Sequence, residues 1–323
     1  MSEFLTNSAL NQCRDTLKRL QTAIGSRIKG KEHVIDQALI SLAAGGHVLI
    51  EDLPGVGKTT LAYCLARAMN TEFKRIQFTS DLLPTDVTGI SIYDERDREF
   101  HFKPGPIFSN IVLADEINRA TPKTQSSLLE VMDHGKVTVD GITHEVGSPF
   151  MVIATQNPVD YEGTFPLPES QMDRFLMRLQ MGYPDPESEI EILAEKSEGY
   201  DELKMQDVVD AADIEHIQKT VPNIYLERSI LEYLLKLITA TRTESEFKSG
   251  VSVRGGIALK TAAQARALYL GRDFVLPEDV SQVAKPVMCH RLNLRRPSSD
   301  ALEERRMVEG ILSRLIDSVP QPK

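Results

Sequence analysis

Asp52-Leu53-Pro54-Gly55-Val56-Gly57-Lys58-Thr59 is the stretch that decides how this chain folds. It follows a short apolar run, His47–Ile50, that reads as a strand, and it opens Thr59–Met69, whose apolar spacing reads as a helix. A glycine-rich turn in that setting is built to hold phosphate. Gly55 and Gly57 let backbone N–H groups approach an anion with no Cβ in the way. The first turn of the helix adds unpaired N–H groups and the positive end of its dipole. Lys58 is placed to reach the terminal phosphates and Thr59 to offer its hydroxyl to magnesium, with Pro54, Val56 and Thr60 completing the cradle. The strict pattern has glycine where this chain has Asp52; from Gly57 onward it is intact.

Working outward, strand-length apolar runs recur at Phe73–Phe78, Ile111–Ala114 and Phe150–Thr155, separated by helical stretches, chiefly Thr59–Met69 and Lys123–Met132. That alternation predicts a mainly parallel sheet covered on both faces, with functional groups at the carboxyl ends of its strands. Ile111-Val112-Leu113-Ala114 runs into Asp115-Glu116, two acids that a buried strand tolerates where they emerge beside the phosphate-binding turn. Asp115 suits the magnesium shell, and Glu116 suits a general base that polarises an attacking water. Met151–Gln156 is a further strand that ends at Asn157, whose amide can orient water near the terminal phosphate; taken alone, such a residue is a turn former.

Two segments interrupt the rhythm. Ile90–Phe102 and Lys136–Val146 both read as β-hairpins inserted into the α/β scaffold, the second around Asp140-Gly141, a strong two-residue turn signal. Before the sheet, Leu10, Cys13, Leu17, Leu20 and Ile24 mark an amphipathic helix over 8–24, Ile28–Lys31 reads as a turn, and Glu32–Ala44 as a second helix. Tyr183-Pro184-Asp185-Pro186 is a break, and beyond it Glu187–Ser197, Ala211–Thr220, Leu226–Thr241, Gly255–Leu270 and Pro277–Arg291 are all helical in pattern. The predicted organisation is an α/β domain over 1–184 and a small helical domain over 185–323.

These segments, in this order, resemble AAA+ ATPases, and more narrowly the MoxR branch. The resemblance rests on the phosphate-binding turn, Pro104-Gly105-Pro106-Ile107-Phe108, Asp115-Glu116-Ile117-Asn118-Arg119-Ala120, Ala154-Thr155-Gln156-Asn157-Pro158 and Leu167-Pro168-Glu169-Ser170-Gln171-Met172-Asp173-Arg174-Phe175. It covers most of residues 28–300. It implies ATP and Mg2+ as ligands and a hexameric ring as the working form. Asn157 would be the sensor-1 residue, Arg174 the arginine finger reaching a neighbouring subunit, and Arg254 the sensor-2 residue. The loop Ile28–His33, with Ile28 and Gly30, would border adenine. The hairpins would be the helix-2 and pre-sensor-1 inserts, and the helical domain would be the lid. The implied role is chaperone-like remodelling or activation of protein partners, among them proteins with von Willebrand factor A-like domains. Independently of the resemblance, guanidinium groups complement the charge that develops on phosphate oxygens during transfer.

Composition and charge narrow the remaining classes. The chain has 323 residues with 41% hydrophobic and 26% charged, and a net charge of -10, which disfavours partners with phosphate backbones or anionic lipid. A nucleic-acid motor related to replicative helicases is the alternative reading, since such motors carry similar hairpins. Here the first hairpin centre reads Asp94-Glu95-Arg96-Asp97-Arg98-Glu99, four acids against two bases, which is no footprint for phosphate. Arg291, Arg295 and Arg296 form a basic cluster that reads as solvated surface or subunit contact. No Asn-Lys-x-Asp guanine-reading motif is present, which argues against a GTPase. Cys13, Cys64 and Cys289 lack metal-ligand spacing and read as reduced, partly buried thiols. Neither a signal peptide nor a membrane span is expected, so the cytoplasm is the expected compartment. Tyr93, Phe100 and Phe102 on the first hairpin are candidates for client contact or, equally, for hairpin packing.

Overall fold

The computed structural model describes residues 7–157, 163–194, 205–298 and 300–322. Helices α1 (Asn7–Gly25) and α2 (Glu32–Ala43) precede strand β1 (Val48–Glu51), which is followed by α3 (Lys58–Ala68) and β2 (Phe73–Gln77). A short helix α4 (Pro84–Thr88) leads into the hairpin β3 (Gly89–Asp94) and β4 (Glu99–Pro104), then β5 (Ile111–Asp115) and α5 (Pro122–His134). The second hairpin, β6 (Lys136–Val139) and β7 (Ile142–Glu145), precedes β8 (Met151–Gln156), α6 (Glu169–Met172) and β9 (Met177–Leu179).

Five of these strands form one parallel sheet in the order β2-β5-β8-β1-β9. Every residue of β1 and β8 and the first four of β5 are buried, as continuous apolar runs require when helices cover both faces. The edge strand β2 is mostly exposed instead, with Ile76 its one buried residue and Arg75 and Gln77 together on the other face. Because all five strands point the same way, the ends of β1, β5 and β8 lie side by side at one edge of the sheet. That edge carries the phosphate-binding turn, Asp115-Glu116 and Asn157.

Both expected hairpins are present. Asp140 and Gly141 take φ values of 51° and 80°, the left-handed pair that a two-residue turn needs to match strand twist. The hairpins meet through Phe102, which stacks on His144 of β7 at 4.1 Å and lies edge-on to Phe108. Tyr93 and Phe100 instead pair across β3 and β4 and remain 48% and 72% exposed. Of the three aromatics, Phe102 is therefore a packing residue.

The rest of the chain is helical: α7 (Pro186–Ala194), α8 (Ala211–Thr220), α9 (Arg228–Thr243), α10 (Val253–Tyr269), α11 (Pro277–Met288) and α12 (Ala301–Ser318), with a small antiparallel pair β10 (Phe247–Ser249) and β11 (Asn293–Leu294). The expected helix 187–197 is seen to Ala194; its last residues, like Pro158, lie outside the described residues. The predicted stripe of α1 is buried in full, Leu10, Cys13, Leu17, Leu20 and Ile24 alike. It joins an apolar core that runs from α2 and α3 through β1 and β9 into α8–α12. A second core lies under α5 and the hairpins. The break at 183–186 thus interrupts the backbone rhythm while the core continues across it. All three cysteines are free and buried. No helix among the described residues is long and apolar enough to cross a membrane.

Arg291 is no solvated cation: its side chain is 3% exposed and its Nε donates to Asp173 Oδ1 at 2.6 Å, with further bonds to the carbonyls of Phe175 and Leu176. Arg295 and Arg296 are exposed, as expected.

Candidate nucleotide site

β1 delivers the phosphate-binding turn, and Gly57, at φ 93°, opens α3 in a left-handed conformation that an L side chain resists. Pro54, Gly55, Gly57, Lys58, Thr59 and Thr60 line a cavity of about 420 Å3 together with Asp115, Glu116 and Asn157. Arg75 and Gln77 form its far wall. Residues predicted from three separate segments thus converge on one space. Lys58 Nζ donates to the carbonyl of Asp52 at 2.8 Å, which holds the ammonium across the mouth of the turn. Burial pushes the Lys58 pKa down, and the carboxylates of Asp115, Asp52 and Glu116 pull it back up.

The departure at Asp52 has a structural account. Its Oδ2 accepts from the N–H of Gly182 at 2.6 Å and its Oδ1 from the N–H of Leu53 at 2.8 Å. A glycine cannot make either bond. Asp52 therefore ties the start of the turn to the segment that leaves β9.

At the end of β5 the two acids face different partners. Asp115 Oδ1 accepts from the Thr155 hydroxyl at 2.6 Å, and its Oδ2 pairs with Arg75 at 2.6 Å. Glu116 sits at φ 57°, a left-handed conformation unusual for a non-glycine residue, and its N–H donates to the same Thr155 hydroxyl at 2.9 Å. Its Oε2 accepts from Gln77 Nε2 at 2.8 Å and lies 3.4 Å from Arg119 Nε. Thr155 on β8 thus sets both acids, while Arg75 and Gln77, two apart on β2 and so on one face, hold their outer oxygens. Sequence reading did not single out Thr155, Arg75 or Gln77; the period-two spacing on an edge strand was the available signal. Thr59 and Asp115 offer hydroxyl and carboxylate oxygens to one space, the hard donors that Mg2+ takes alongside its waters, so these residues fit the ion.

Other predicted residues lie elsewhere. Val56 is half-buried and packs on the main core; Ile28 is buried in that core. Gly30, at φ 64°, is close-packed against Asp185 and Ser188, and Lys31 Nζ donates to the Tyr183 carbonyl at 2.5 Å. The 28–31 turn therefore abuts the segment after β9, beside the cavity and outside its lining. Arg174 and Arg254 are not among the lining residues either. Both meet Asp133 near the end of α5, one guanidinium on each carboxylate oxygen.

The chain matches the family described as "ATPase family associated with various cellular activities (AAA)" over residues 47–177, and the AAA lid domain over residues 239–311. It is 47% identical to the uncharacterized protein YeaC of Bacillus subtilis, covering 91% of each chain. It is 38% identical to chaperone MoxR1 of Mycobacterium tuberculosis, covering 95% of this chain and 83% of that one. A crystal structure of a candidate ATPase from Cytophaga hutchinsonii superimposes with a TM-score of 0.85 at 37% identity, covering 98% of each chain. Likeness of this depth over almost the whole length, joined to a cavity whose walls are the predicted turn, acids and amide, makes the chain a member of the MoxR family of AAA+ ATPases.

Proposed function

We propose that the chain hydrolyses ATP at sites shared between copies of itself in a hexameric ring, and that the cycle remodels a protein partner. The observation that carries the reading is the separation of its cations. Lys58 lines the cavity with Asp115 and Glu116, whereas Arg174 and Arg254 lie together outside it. A site that needs their charge would receive it from a neighbour, as heterologous ring contacts allow.

In this reading the N–H groups around Gly55 and Gly57 and the Lys58 ammonium bind the phosphates. Thr59 and Asp115 would hold Mg2+, which would supply positive charge to neutralise the phosphates. Thr155 fixes the direction of Asp115 and Glu116 by its two hydrogen bonds. Glu116 accepts a proton from the attacking water, giving up or sharing the Gln77 amide that now occupies its Oε2. Asn157 orients that water. Ile28, Gly30 and Val56 lie outside the cavity lining and would act on the base side only by supporting the turn from the core.

The partner class follows from the hairpins. Ile90, Ile92, Tyr93 and Phe100 are exposed apolar side chains on the first one, a surface suited to polypeptide, and the acids Asp94, Asp97 and Glu99 at its tip would repel a nucleic-acid backbone. One relative is named a chaperone, which agrees with a protein client.

Phosphate release by Arg174→Ala and Glu116→Gln, each alone and mixed, tests the shared site. Each alone should be nearly inactive. In an equal mixture about one quarter of interfaces join an intact Glu116 to an intact Arg174, and activity should return in proportion. A lone Arg174→Ala protein with full turnover would defeat the reading.

A further inference from the structure

Asp133 is the residue on which the two arginines converge. Arg174 Nη1 donates to its Oδ2 and Arg254 Nη2 to its Oδ1, from segments 41 and 121 residues away in sequence. Arg174 Nη1 also donates to the Leu129 carbonyl at 2.6 Å, while its buried Nε has no partner among the described residues.

The charges stand at unfavourable helix ends. Asp133 is the penultimate residue of α5, where the helix dipole presents its negative pole. Arg254 is the second residue of α10, where the dipole presents its positive pole. Each placement opposes the dipole. Pairing the two ends offsets both penalties and brings two guanidinium groups to one carboxylate. One positive charge then remains uncompensated. It faces outward beside Val253 and Ile257, which are 72% and 60% exposed on the same face of α10.

The backbone beneath is anchored separately. Asp173, next to Arg174, accepts from the Ser252 hydroxyl at 2.9 Å and from Arg291. Ser252 in turn caps α10, its oxygen accepting from the N–H of Gly255 at 3.0 Å. Asp173 therefore fixes the roots of both arginines, and Asp133 fixes their tips.

We infer that Asp133 is a positioning residue for ATP hydrolysis in the neighbouring copy: it holds Arg174 and Arg254 as one cationic unit, presented with Val253 and Ile257 to the phosphate-bearing cavity of a second copy of this chain. The inference rests on the shared-site reading above. A guanidinium pair held in this way arrives pre-oriented. Without the carboxylate the two like charges repel, and the half-exposed Arg254 is free to turn into solvent.

Steady-state ATP hydrolysis by the full chain tests this, using Asp133→Asn alone, Arg174→Ala alone, and each mixed equally with Glu116→Gln. Asp133→Asn should lower kcat by about tenfold or more and leave KM for ATP within about twofold, because its own cavity is intact. Mixing with Glu116→Gln should restore turnover, since that subunit brings properly held arginines to an intact Glu116. A variant that was merely misfolded could not be rescued in this way. Asp133→Glu, which keeps the charge and displaces both guanidiniums, should give the same pattern and serves if the Asn variant fails to fold. Wild-type kcat in both Asp133 variants, or loss with no recovery in the mixtures, overturns the role of Asp133. Wild-type kcat in Arg174→Ala overturns the shared-site reading beneath it, so the two failures are told apart.

Discussion

Acid should loosen this protein through one buried histidine, and the size of the effect follows from its contacts. His47, just before β1, is 6% exposed. Its Nδ1 accepts the N–H of Val152 at 3.0 Å, so its proton sits on Nε2, which donates to the Met132 carbonyl at 2.9 Å. A second proton would break the Val152 bond and place a charge in the core. Burial accordingly pulls its pKa down to about 4, with Arg254 pushing the same way and the Met132 carbonyl and Asp133 opposing. In the unfolded chain the ring titrates near its ordinary value of 6.5. As pH falls through 6.5, the unfolded state binds a proton that the folded state refuses until about 4, so stability complete above 6.5 is lost across that window. The full gap corresponds to about 3 kcal/mol, of which about 2 kcal/mol has gone by about pH 5. Urea unfolding of the wild type and of His47→Gln, at about pH 7.5 and about pH 5, isolates the term. The amide keeps a donor and an acceptor and cannot titrate, and His290, whose pKa burial also lowers, contributes equally to both proteins. The wild type should lose about 2 kcal/mol more than the variant between the two conditions. Equal losses would show that His47 titrates normally and that the reasoning from its hydrogen bonds is wrong.

Other perturbations address the site. Lys58→Ala should abolish nucleotide binding measurable with a fluorescent ATP analogue, since the cavity loses the cation held at the phosphate-binding turn and keeps only Arg75, which is paired with Asp115. Glu116→Gln should bind ATP with little change and hydrolyse it at least about 100-fold more slowly, as loss of a general base typically gives, read by phosphate release against equilibrium binding. Asp52→Ala strips the Gly182 and Leu53 N–H groups of their acceptor and should cost about 1–3 kcal/mol in urea unfolding, with weaker nucleotide binding; unchanged stability would deny the tie to Gly182. Phe102→Ala removes the stack that joins the hairpins and should raise amide exchange across β3, β4, β6 and β7 while the central sheet stays protected.

The sequence carried most of the scaffold because its signals were local. Leu10 through Ile24 repeat at helical spacing, Ile111–Ala114 form an uninterrupted apolar run, and Asp140-Gly141 permits few other conformations. Strand β9 escaped notice for the opposite reason: Arg178 breaks its apolar run, and the buried Glu51 together with the partly exposed Glu309 makes that arginine tolerable. The walls of the cavity were legible wherever one residue type performs one task, as with Lys58, Asp115 and Glu116. Thr155, Arg75 and Gln77 hold Asp115 and Glu116, and Asp133 holds Arg174 and Arg254, through contacts that exist only once β2, β5, β8, α5 and α10 are brought together. Arg291 shows the same limit in reverse: beside Arg295 and Arg296 it looks like surface charge, and only the fold places Asp173 within its reach.

Glu51, the last residue of β1, has a mechanical consequence. It is buried between Arg178 of β9 at 3.3 Å and Arg305 of α12 at 2.9 Å, and Arg178 also binds Glu309 of α12. The strand that carries the ATP-binding turn is thereby riveted to the last helix of the chain. Parting such a buried pair costs about 3–5 kcal/mol, more than small rearrangements at a bound phosphate readily supply. With that rivet intact a copy of the chain would swing as a single stiff lever, and the ring proposed above would flex at the seams between copies.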